Sequence, residues 1–302
     1  MSVHIIGGRT FDFDRQVAVM AIVNRTPDSF HDRGATFALD RAVAASLQAV
    51  EDGADWVDVG GVPFGRGPVV SVQQEIDRVI PVVEAVAAAS DVVISVDTTV
   101  AEVARHAVAA GASVINDTSG LWDDQMVGVI AKTGATLVLT HSIGPPRSEK
   151  PRPQYGDVVN DVVDYLRNRI DRAVAGGVAL ERLIIDPGPD LNKNTLHTLE
   201  LTRRFEEIVA IGPPTLAAVS NKDFIGESLD RERGQRLEGS LVAMVACILK
   251  GARIVRMHDI PQTVEAVRMT EAILGMREPV RLLHNMQDPV RLLHHMQDAV
   301  PS

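Results

Sequence analysis

Short runs rich in β-branched residues alternate along the chain with longer segments whose apolar residues recur at helical spacing. The eight strand-like runs are residues 17–23, 55–59, 92–97, 113–116, 135–141, 182–186, 215–219 and 253–257. Strands separated by helices imply a parallel sheet with right-handed crossovers. Eight such units in 302 residues predict an α/β fold built as a single closed (β/α)8 TIM barrel.

The helical segments support this interpretation. They include residues 71–89, 101–110, 157–175 and 236–250. Gly53, Gly111 and Gly251 each end a helix-like run just before a strand, as C-terminal caps do. The sequence has neither a G-x-G-x-x-G after its first strand nor a phosphate-binding G-x-x-x-x-G-K-[ST], which further disfavours an open nucleotide-binding sheet.

The barrel is predicted to occupy residues 1–276, and residues 277–302 form a short C-terminal tail extension. This tail repeats ten residues in tandem, "PVRLLHNMQD" (279–288) and then "PVRLLHHMQD" (289–298). Its histidines show no fixed metal-ligand spacing, so we expect an amphipathic or partly disordered tail. The charged run 230–236 is expected to be solvated.

Charge and cysteine content exclude several classes of function. A net charge of −10 and a pI near 5.4 argue against binding to nucleic acid or to an anionic membrane. No run approaches 18 apolar residues, and no secretory signal begins the chain, so a cytoplasmic protein is expected. Cys247 is the single cysteine, which rules out an intrachain disulfide.

Polar side chains lie at or just after the carboxyl end of every predicted strand. In chain order they are Asn24, Asp58, Asp97, Asn116, His141, Asp186, the trio Ser220-Asn221-Lys222, and Arg256 with His258. One such residue would usually cap the helix that follows it. Eight sets converging on one rim indicate a site, because the βα loops of a barrel all open onto its C-terminal face.

The chemistry of these groups suggests a ligand class. Strand alternation predicts that Arg256 and His258 point the same way, and likewise Ser220 and Lys222. Such barrels often bind phosphate after their last two strands, where these cations lie. The carboxylates and the amide on the other strands suit the N–H groups of a flat heterocycle. The residues therefore predict a pocket for a pterin- or purine-like ring that carries a phosphate-type group.

Seven short motifs, dispersed along the chain, resemble the motifs of a known protein family. They are "NRTPDSFHDRG" (24–34), "DVGG" (58–61), "SVDT" (95–98), "INDTSG" (115–120), "DPG" (186–188), "SNK" (220–222) and "RMHD" (256–259). Their order and spacing resemble those of the dihydropteroate synthases. The resemblance implies a homodimeric barrel that joins 6-hydroxymethyl-dihydropterin pyrophosphate to p-aminobenzoate, with magnesium assisting the departure of pyrophosphate.

The same resemblance implies specific site residues. The family's pterin pocket carries over onto Asp97, Asn116, Asp186, Lys222 and Arg256. Its phosphate site carries over onto Asn24, Arg256 and His258, with Asn24 as the magnesium ligand. All of these residues are present.

The second loop departs from the family pattern, which typically is D-I-G-G-E-S-T-R-P-G. Here the Glu-Ser-Thr-Arg portion is Val62, Pro63, Phe64 and Gly65, followed by Arg66. The family uses the Thr and Arg to hold pyrophosphate and to shape the arylamine site. Each charge-assisted hydrogen bond lost is worth roughly 1.5–3 kcal/mol, so losing two weakens diphosphate binding by about two to four orders of magnitude.

Other departures lie near the same part of the site. Arg25 replaces a small apolar residue, "THS" (140–142) replaces Met-His-Met, and "SNK" replaces Ser-Arg-Lys. The family's D-P-G-I-G-F-G-K is "DPGPDLNK" (186–193), with Leu191 in place of an aromatic of the arylamine site. Three functions stay open: a pterin-binding homologue with little or no synthase activity, a working synthase that uses Arg25 or Arg66, and a methyltransferase-like or non-catalytic pterin- or folate-binding protein. The sequence favours the first.

Overall fold

Eight parallel strands close into the predicted barrel. The computed structural model describes residues 3–24, 39–63, 69–148, 152–282 and 284. Two short strands, β1 (Val3–Ile6) and β2 (Arg9–Asp12), precede the barrel strands β3 (Ala18–Asn24), β4 (Trp56–Gly60), β5 (Val93–Asp97), β6 (Val114–Asp117), β7 (Thr136–Thr140), β8 (Leu183–Asp186), β9 (Leu216–Ala217) and β10 (Ile254–Met257). The sheet order is β8-β7-β6-β5-β4-β3-β10-β9, and a parallel bridge between Ile185 and Thr215 joins its two ends.

Helices connect the strands on the outside of the barrel. They are α1 (Leu39–Glu51), α2 (Val72–Ala89), α3 (Ala101–Ala109), α4 (Met126–Thr133), α5 (Val158–Ala175), α6 (Thr195–Arg203), α7 (Phe205–Val209), α8 (Asp223–Leu229), α9 (Leu237–Leu249) and α10 (Ile260–Ile273). Gly53, Gly111 and Gly251 all have positive φ after a helix, which confirms their predicted capping role. Within the described ranges, no helix has both the length and the apolar character needed to cross a bilayer.

Two apolar layers hold the barrel together. The larger lies between strands and helices, where Val57, Val59 and Ile94 pack against helical valines such as Val82 and Val86. The smaller fills the amino-terminal half of the barrel interior. It includes Phe11, Phe13, Met20, Trp56, Val93, Val114, Val138, Ile184 and Ile254. Buried apolar side chains at the amino-terminal end of the strands leave the carboxyl ends for polar groups.

An amino-terminal hairpin plugs the bottom of the barrel, and the sequence analysis did not predict it. Gly7 and Gly8, with φ of 57° and 75°, form the turn between β1 and β2. Such Gly-Gly pairs between alternating residues favour a tight hairpin, so the signal was present. Phe11 packs edge-on against Trp56 with ring centroids 5.5 Å apart.

Two expectations need correction. The strand predicted over 215–219 is only Leu216–Ala217, so strand alternation does not orient Ser220 and Lys222, which lie in the turn that follows. In the charged run, residues 230–235 are exposed as predicted, but Arg236 is buried. Its guanidinium donates to the carbonyls of Asn221 (3.0 Å) and Lys222 (3.1 Å). Residues 283 and 285–298 of the tandem repeat lie outside the described residues.

Candidate active site at the carboxyl ends of the strands

The register of the sheet brings three predicted site residues to one level. Gly60, the last residue of β4, pairs with Asn24 on one side and with Asp97 on the other. Asp97 in turn pairs with Asn116. A side chain at Gly60 would begin 3.1 Å from Asn24 Oδ1, so the glycine keeps open the space between Asn24 and Asp97.

Asp58, one layer deeper, links the groups of this rim. It is fully buried and accepts hydrogen bonds from Arg256 Nε (2.6 Å), Ser95 Oγ (2.6 Å) and Asn116 Nδ2 (3.1 Å). Arg256 also donates through Nη2 to Asp97 Oδ2 at 3.1 Å. Asp58 therefore has the supporting role that its buried position predicts: it fixes the orientation of the guanidinium and of the amide.

Asp97 has an unusual protonation equilibrium. Burial raises its pKa to about 7; the Arg256 charge opposes this shift, and the nearby Asp58 carboxylate adds to it. The carboxyl group therefore changes charge close to neutral pH. When it is ionised, both of its oxygens can accept from ligand N–H groups, whereas protonation turns one of them into a donor.

Two further hydrogen-bond acceptors, on Asn116 and Asp186, lie at the rim. Asn116 Oδ1 is buried and has no hydrogen-bond partner among the described residues, which is costly unless a ligand supplies a donor. Asp186 ends β8, is 4% exposed, and accepts from the backbone N–H of Gly188 through Oδ1 at 2.8 Å. Burial raises the Asp186 pKa, while that backbone hydrogen bond and the charge of Lys222 lower it. These acceptors suit the donor edge of a flat heterocycle.

The cations predicted after the last two strands lie on the same rim. Lys222 is the N-cap residue of α8; burial lowers its pKa, and Asp190 and Asp186 oppose that shift. His258 follows β10, with Nδ1 2.9 Å from Ser220 Oγ. Ser220 Oγ also accepts from the His258 backbone N–H at 3.3 Å, so this serine holds the histidine at two points. The imidazole is thereby fixed on the same rim, where a ring N–H can be donated to an anion.

Sequence reasoning missed Lys193, a buried lysine behind the rim. Its Nζ lies 2.7 Å from His141 Nδ1 and donates to the carbonyls of Gly188 and Leu191, both at 2.9 Å. Burial lowers the Lys193 pKa to about 7, whereas the Asp186 carboxylate raises it. Burial and the Lys193 charge lower the His141 pKa to about 2, so His141 is a neutral packing residue. The lysine in "DPGPDLNK" was a signal for this role, although spacing alone does not reveal burial.

The loop after β8 is held by two residues that stand where the family motif has glycine. Asp190 and Asn192 have φ of 61° and 55°, a region that Asp and Asn tolerate better than most residues. Asp190 accepts from the backbone N–H of Phe224 at 3.1 Å, and Asn192 Oδ1 accepts from that of Ile143 at 2.6 Å. The side chain of Leu191 between them is buried.

The altered second loop offers little chemistry in its described part. Gly61 accepts from Arg78 Nη1 at 2.9 Å through its carbonyl, and Val62 and Pro63 follow. Phe64, Gly65 and Arg66 of this loop lie outside the described residues, and so does Arg25. No group of three or more His, Cys, Asp or Glu side chains that could hold a metal occurs among the residues that are described.

Comparison with known proteins decides the family. Residues 20–258 match the family model described as pterin binding enzyme. Over 280 residues, the chain is 46% identical to "Inactive dihydropteroate synthase 2" of Mycobacterium leprae (strain TN), covering 91% of this chain and 96% of that one. It is 40% identical over 264 residues to "Dihydropteroate synthase" of Escherichia coli (strain K12), covering 87% and 94%.

The chain belongs to the dihydropteroate synthase family. Its structure also resembles that of Xanthomonas albilineans dihydropteroate synthase in complex with 7,8-dihydropteroate. The TM-score is 0.81 at 38% identity, covering 90% of this chain and 99% of that one. The barrel fold and the family predicted from the sequence motifs are therefore both confirmed. Within this dihydropteroate synthase family, the chain resembles both a relative named inactive and relatives named as synthases.

Proposed function

We propose that this protein is a dihydropteroate synthase homologue that binds a pterin but has little or no synthase activity. The acceptors and cations of the strand ends support pterin binding. Pterin binding is supported most directly by the unsatisfied Asn116 Oδ1. A buried carbonyl oxygen needs a hydrogen-bond donor, and a pterin ring supplies N–H groups. In this proposal Asp97, Asp186, Lys222 and Arg256 would line the same pocket.

The loss of synthase activity rests on the second loop. Val62 and Pro63 cannot hold a phosphate through side-chain hydrogen bonds. Leu191 replaces an aromatic side chain beside the proposed arylamine site. A chemical step that depends on positioning commonly loses at least about a hundredfold in rate when reacting groups are misplaced. The name of the Mycobacterium leprae relative agrees with this proposal.

A working synthase is the second candidate function. Asn24, Arg256 and His258 retain the groups that would meet the leaving phosphate, and the Escherichia coli relative is named as a synthase. A methyltransferase-like folate binder fits less well, because Lys222 and the cations after β10 suit a phosphate-bearing ligand.

Magnesium is compatible with this donor set when a diphosphate is bound. Magnesium usually keeps several waters and takes one or two protein oxygens together with substrate phosphates, so a carboxylate cluster is not required. Asn24 Oδ1, at the end of β3, would be the protein ligand. When bound, the cation would neutralise charge on the leaving diphosphate.

The proposed assembly is a homodimer in the cytoplasm, and α9 and α10 supply its contact surface. These helices pack together, yet their outer faces carry apolar side chains such as Val242, 70% exposed, and Ile273, 67% exposed. Neighbouring exposed apolar side chains of this kind mark interaction surfaces. Light scattering should give twice the chain mass of 32.6 kDa, and Val242→Asp should shift it towards one chain. A single-chain mass for the natural protein at micromolar concentration would refute the dimer.

Two measurements test the proposed function together. Titration calorimetry with a simple pterin should show binding, while a synthase-deficient bacterial strain carrying this gene should fail to grow without added folate products. Turnover should be absent or at least about a thousandfold below that of a normal family member. No binding at millimolar pterin would refute the pocket; several turnovers per minute would refute the loss of activity and favour the working synthase.

A further inference from the structure

A groove of about 520 Å³ lies outside the barrel rim, between the loops that follow β6 and β7 and one face of α5. This volume is in the range of small-molecule sites. The groove shares no residue with the pterin pocket described above.

The first wall of the groove is a rigid loop with a strained backbone. Asp117 accepts from the backbone N–H groups of Ser119 (2.8 Å) and Leu121 (2.9 Å). These bonds help hold Leu121 at φ 66°, a conformation that a leucine rarely adopts. The side chain of Leu121 is buried, and that of the following residue, Trp122, is 53% exposed. The loop thus presents one of the two tryptophans of the chain to the groove.

The second wall is the loop after β7, and it is also fixed. Ile143 is 44% exposed and lines the groove, while its backbone N–H is held by Asn192. The hydroxyl of Tyr165 donates to the carbonyl of Ser142 at 2.8 Å, which ties this loop to α5. The groove therefore has apolar surfaces on both walls whose backbones are held by hydrogen bonds.

The floor carries two arginines. Tyr165, Arg169 and Arg172 occur at i, i+4 and i+7 of α5, so they share one helix face. The Arg169 guanidinium lies 4.5 Å from the Tyr165 ring centroid, and Arg172 pairs with the exposed Asp124 at 2.7 Å.

Arg169 differs from Arg172 in its partners. Among the described residues, no carboxylate forms an ion pair with Arg169, and its buried Nε has no hydrogen-bond partner. Its Nη1 donates only to a neutral amide, Asn168 Oδ1, at 3.0 Å. A buried guanidinium N–H without an acceptor is costly, and an anion would satisfy it.

We propose that this groove binds a small planar aromatic carboxylate. The carboxylate would accept from Arg169, with Arg172 as a second cation, and the ring would lie between Trp122 and Ile143. The inference does not depend on the proposed function, because the groove is built from different residues.

The test uses the tryptophan of the groove as its reporter. Trp56 is fully buried, so quenching of the natural protein by the neutral quencher acrylamide reports Trp122. Benzoate should protect Trp122 saturably in the millimolar range. Benzamide, which has the same ring without the charge, should bind at least about tenfold more weakly. Inorganic phosphate should protect less than benzoate, because it lacks a ring.

Variants locate the effect. Arg169→Gln should remove most of the protection, Arg172→Gln should weaken it less, and Lys222→Met should leave it unchanged. Circular dichroism confirms that each variant folds, and Arg169→Lys provides a second, charge-preserving test that should retain part of the protection. Equal protection in Arg169→Gln, equal protection by benzamide or by phosphate, or no protection by benzoate would overturn the proposal.

Discussion

The strand ends of the barrel and the loop after β4 open onto the same face. The strand ends keep the polar residues of the family motifs, whereas the loop has lost most of them. Asp58, Asp97, Asn116 and Arg256 form a connected network in which each group is a hydrogen-bond partner of another. Removing one member would leave a buried polar partner unsatisfied, which costs stability. The side chains of Val62 and Pro63 form no hydrogen bonds, so no buried polar partner depends on them. Loop chemistry can therefore be lost while the strand-end chemistry is retained for reasons of folding.

Residues of the network that satisfy one another must be distinguished from residues that lack a partner when a pterin pocket is inferred. Asp58 and Arg256 satisfy one another, so their presence alone says little about a ligand. Asn116 Oδ1 lacks a partner among the described residues, and Asp186 Oδ1 accepts from the backbone of Gly188 rather than from this network. These two groups therefore give the sharper test of a bound ligand.

The largest effect is expected from rebuilding the loop. Changing residues 62–65 to Glu-Ser-Thr-Arg should raise synthase turnover by about a hundredfold or more, because positioned donors for the diphosphate return. Adding Leu191→Phe should increase it further. Steady-state turnover with dihydropterin pyrophosphate and p-aminobenzoate measures this, and a loop scrambled in order is the control. An unchanged rate in the rebuilt loop would show that the defect lies elsewhere in the site.

Removal of one acceptor should have the next largest effect. Asp186→Ala should weaken pterin binding by about thirtyfold to a hundredfold, as expected for a charge-assisted hydrogen bond. Asp91→Ala, an exposed acid at the opposite end of β5, is the matched control and should change affinity less than about twofold. Titration calorimetry gives both values. Equal affinities of the two variants would place the pterin elsewhere.

Sequence alone could predict the barrel because its signals are local and repeated. The strand boundaries were right to within a residue at most positions, and the polar strand ends marked the rim. The short β9 was overestimated because residues 218–220 are apolar or small, although the strand ends at Ala217 and the turn begins at Ser220. The Gly7-Gly8 hairpin was not predicted, although a Gly-Gly pair between alternating residues is a turn signal for an antiparallel pair.

The connections between site residues could not be predicted in the same way. Nothing in the spacing shows that Arg236 would bind the carbonyls of Asn221 and Lys222, because a charge run usually predicts a solvated face. The burial of Lys193 could not be predicted either, because it depends on how the loop after β8 folds back onto the lysine. Long-range contacts of this kind depend on tertiary structure.

An intermediate effect is expected from pH. Because the pKa of Asp97 is raised to about 7, lowering the pH through this value protonates the carboxyl group and removes an acceptor. Pterin affinity should therefore fall by about tenfold between pH 8 and pH 6. The Asp97→Asn variant cannot titrate at this position, and any titration of the ligand itself occurs with both proteins. A parallel pH dependence of the variant would exclude Asp97 as the titrating group.

The smallest effect concerns the loop after β8, where the family motif has glycine and this chain has Asp190 and Asn192. Returning both to glycine relieves two positive-φ residues but removes their hydrogen bonds to Phe224 and Ile143. The relief of backbone strain stabilises the fold and the loss of hydrogen bonds destabilises it, so the free energy of unfolding should change by less than about 1 kcal/mol. Hydrogen exchange of amides 190–193 should nevertheless quicken about tenfold, because local opening no longer breaks those bonds. Asn221→Gly, another asparagine at positive φ (56°), is the matched control and should leave amides 190–193 unchanged. If exchange there is equally slow in the double glycine variant, the side chains of Asp190 and Asn192 do not hold the loop, and the bonds of its backbone to Lys193, Tyr155 and Thr198 do.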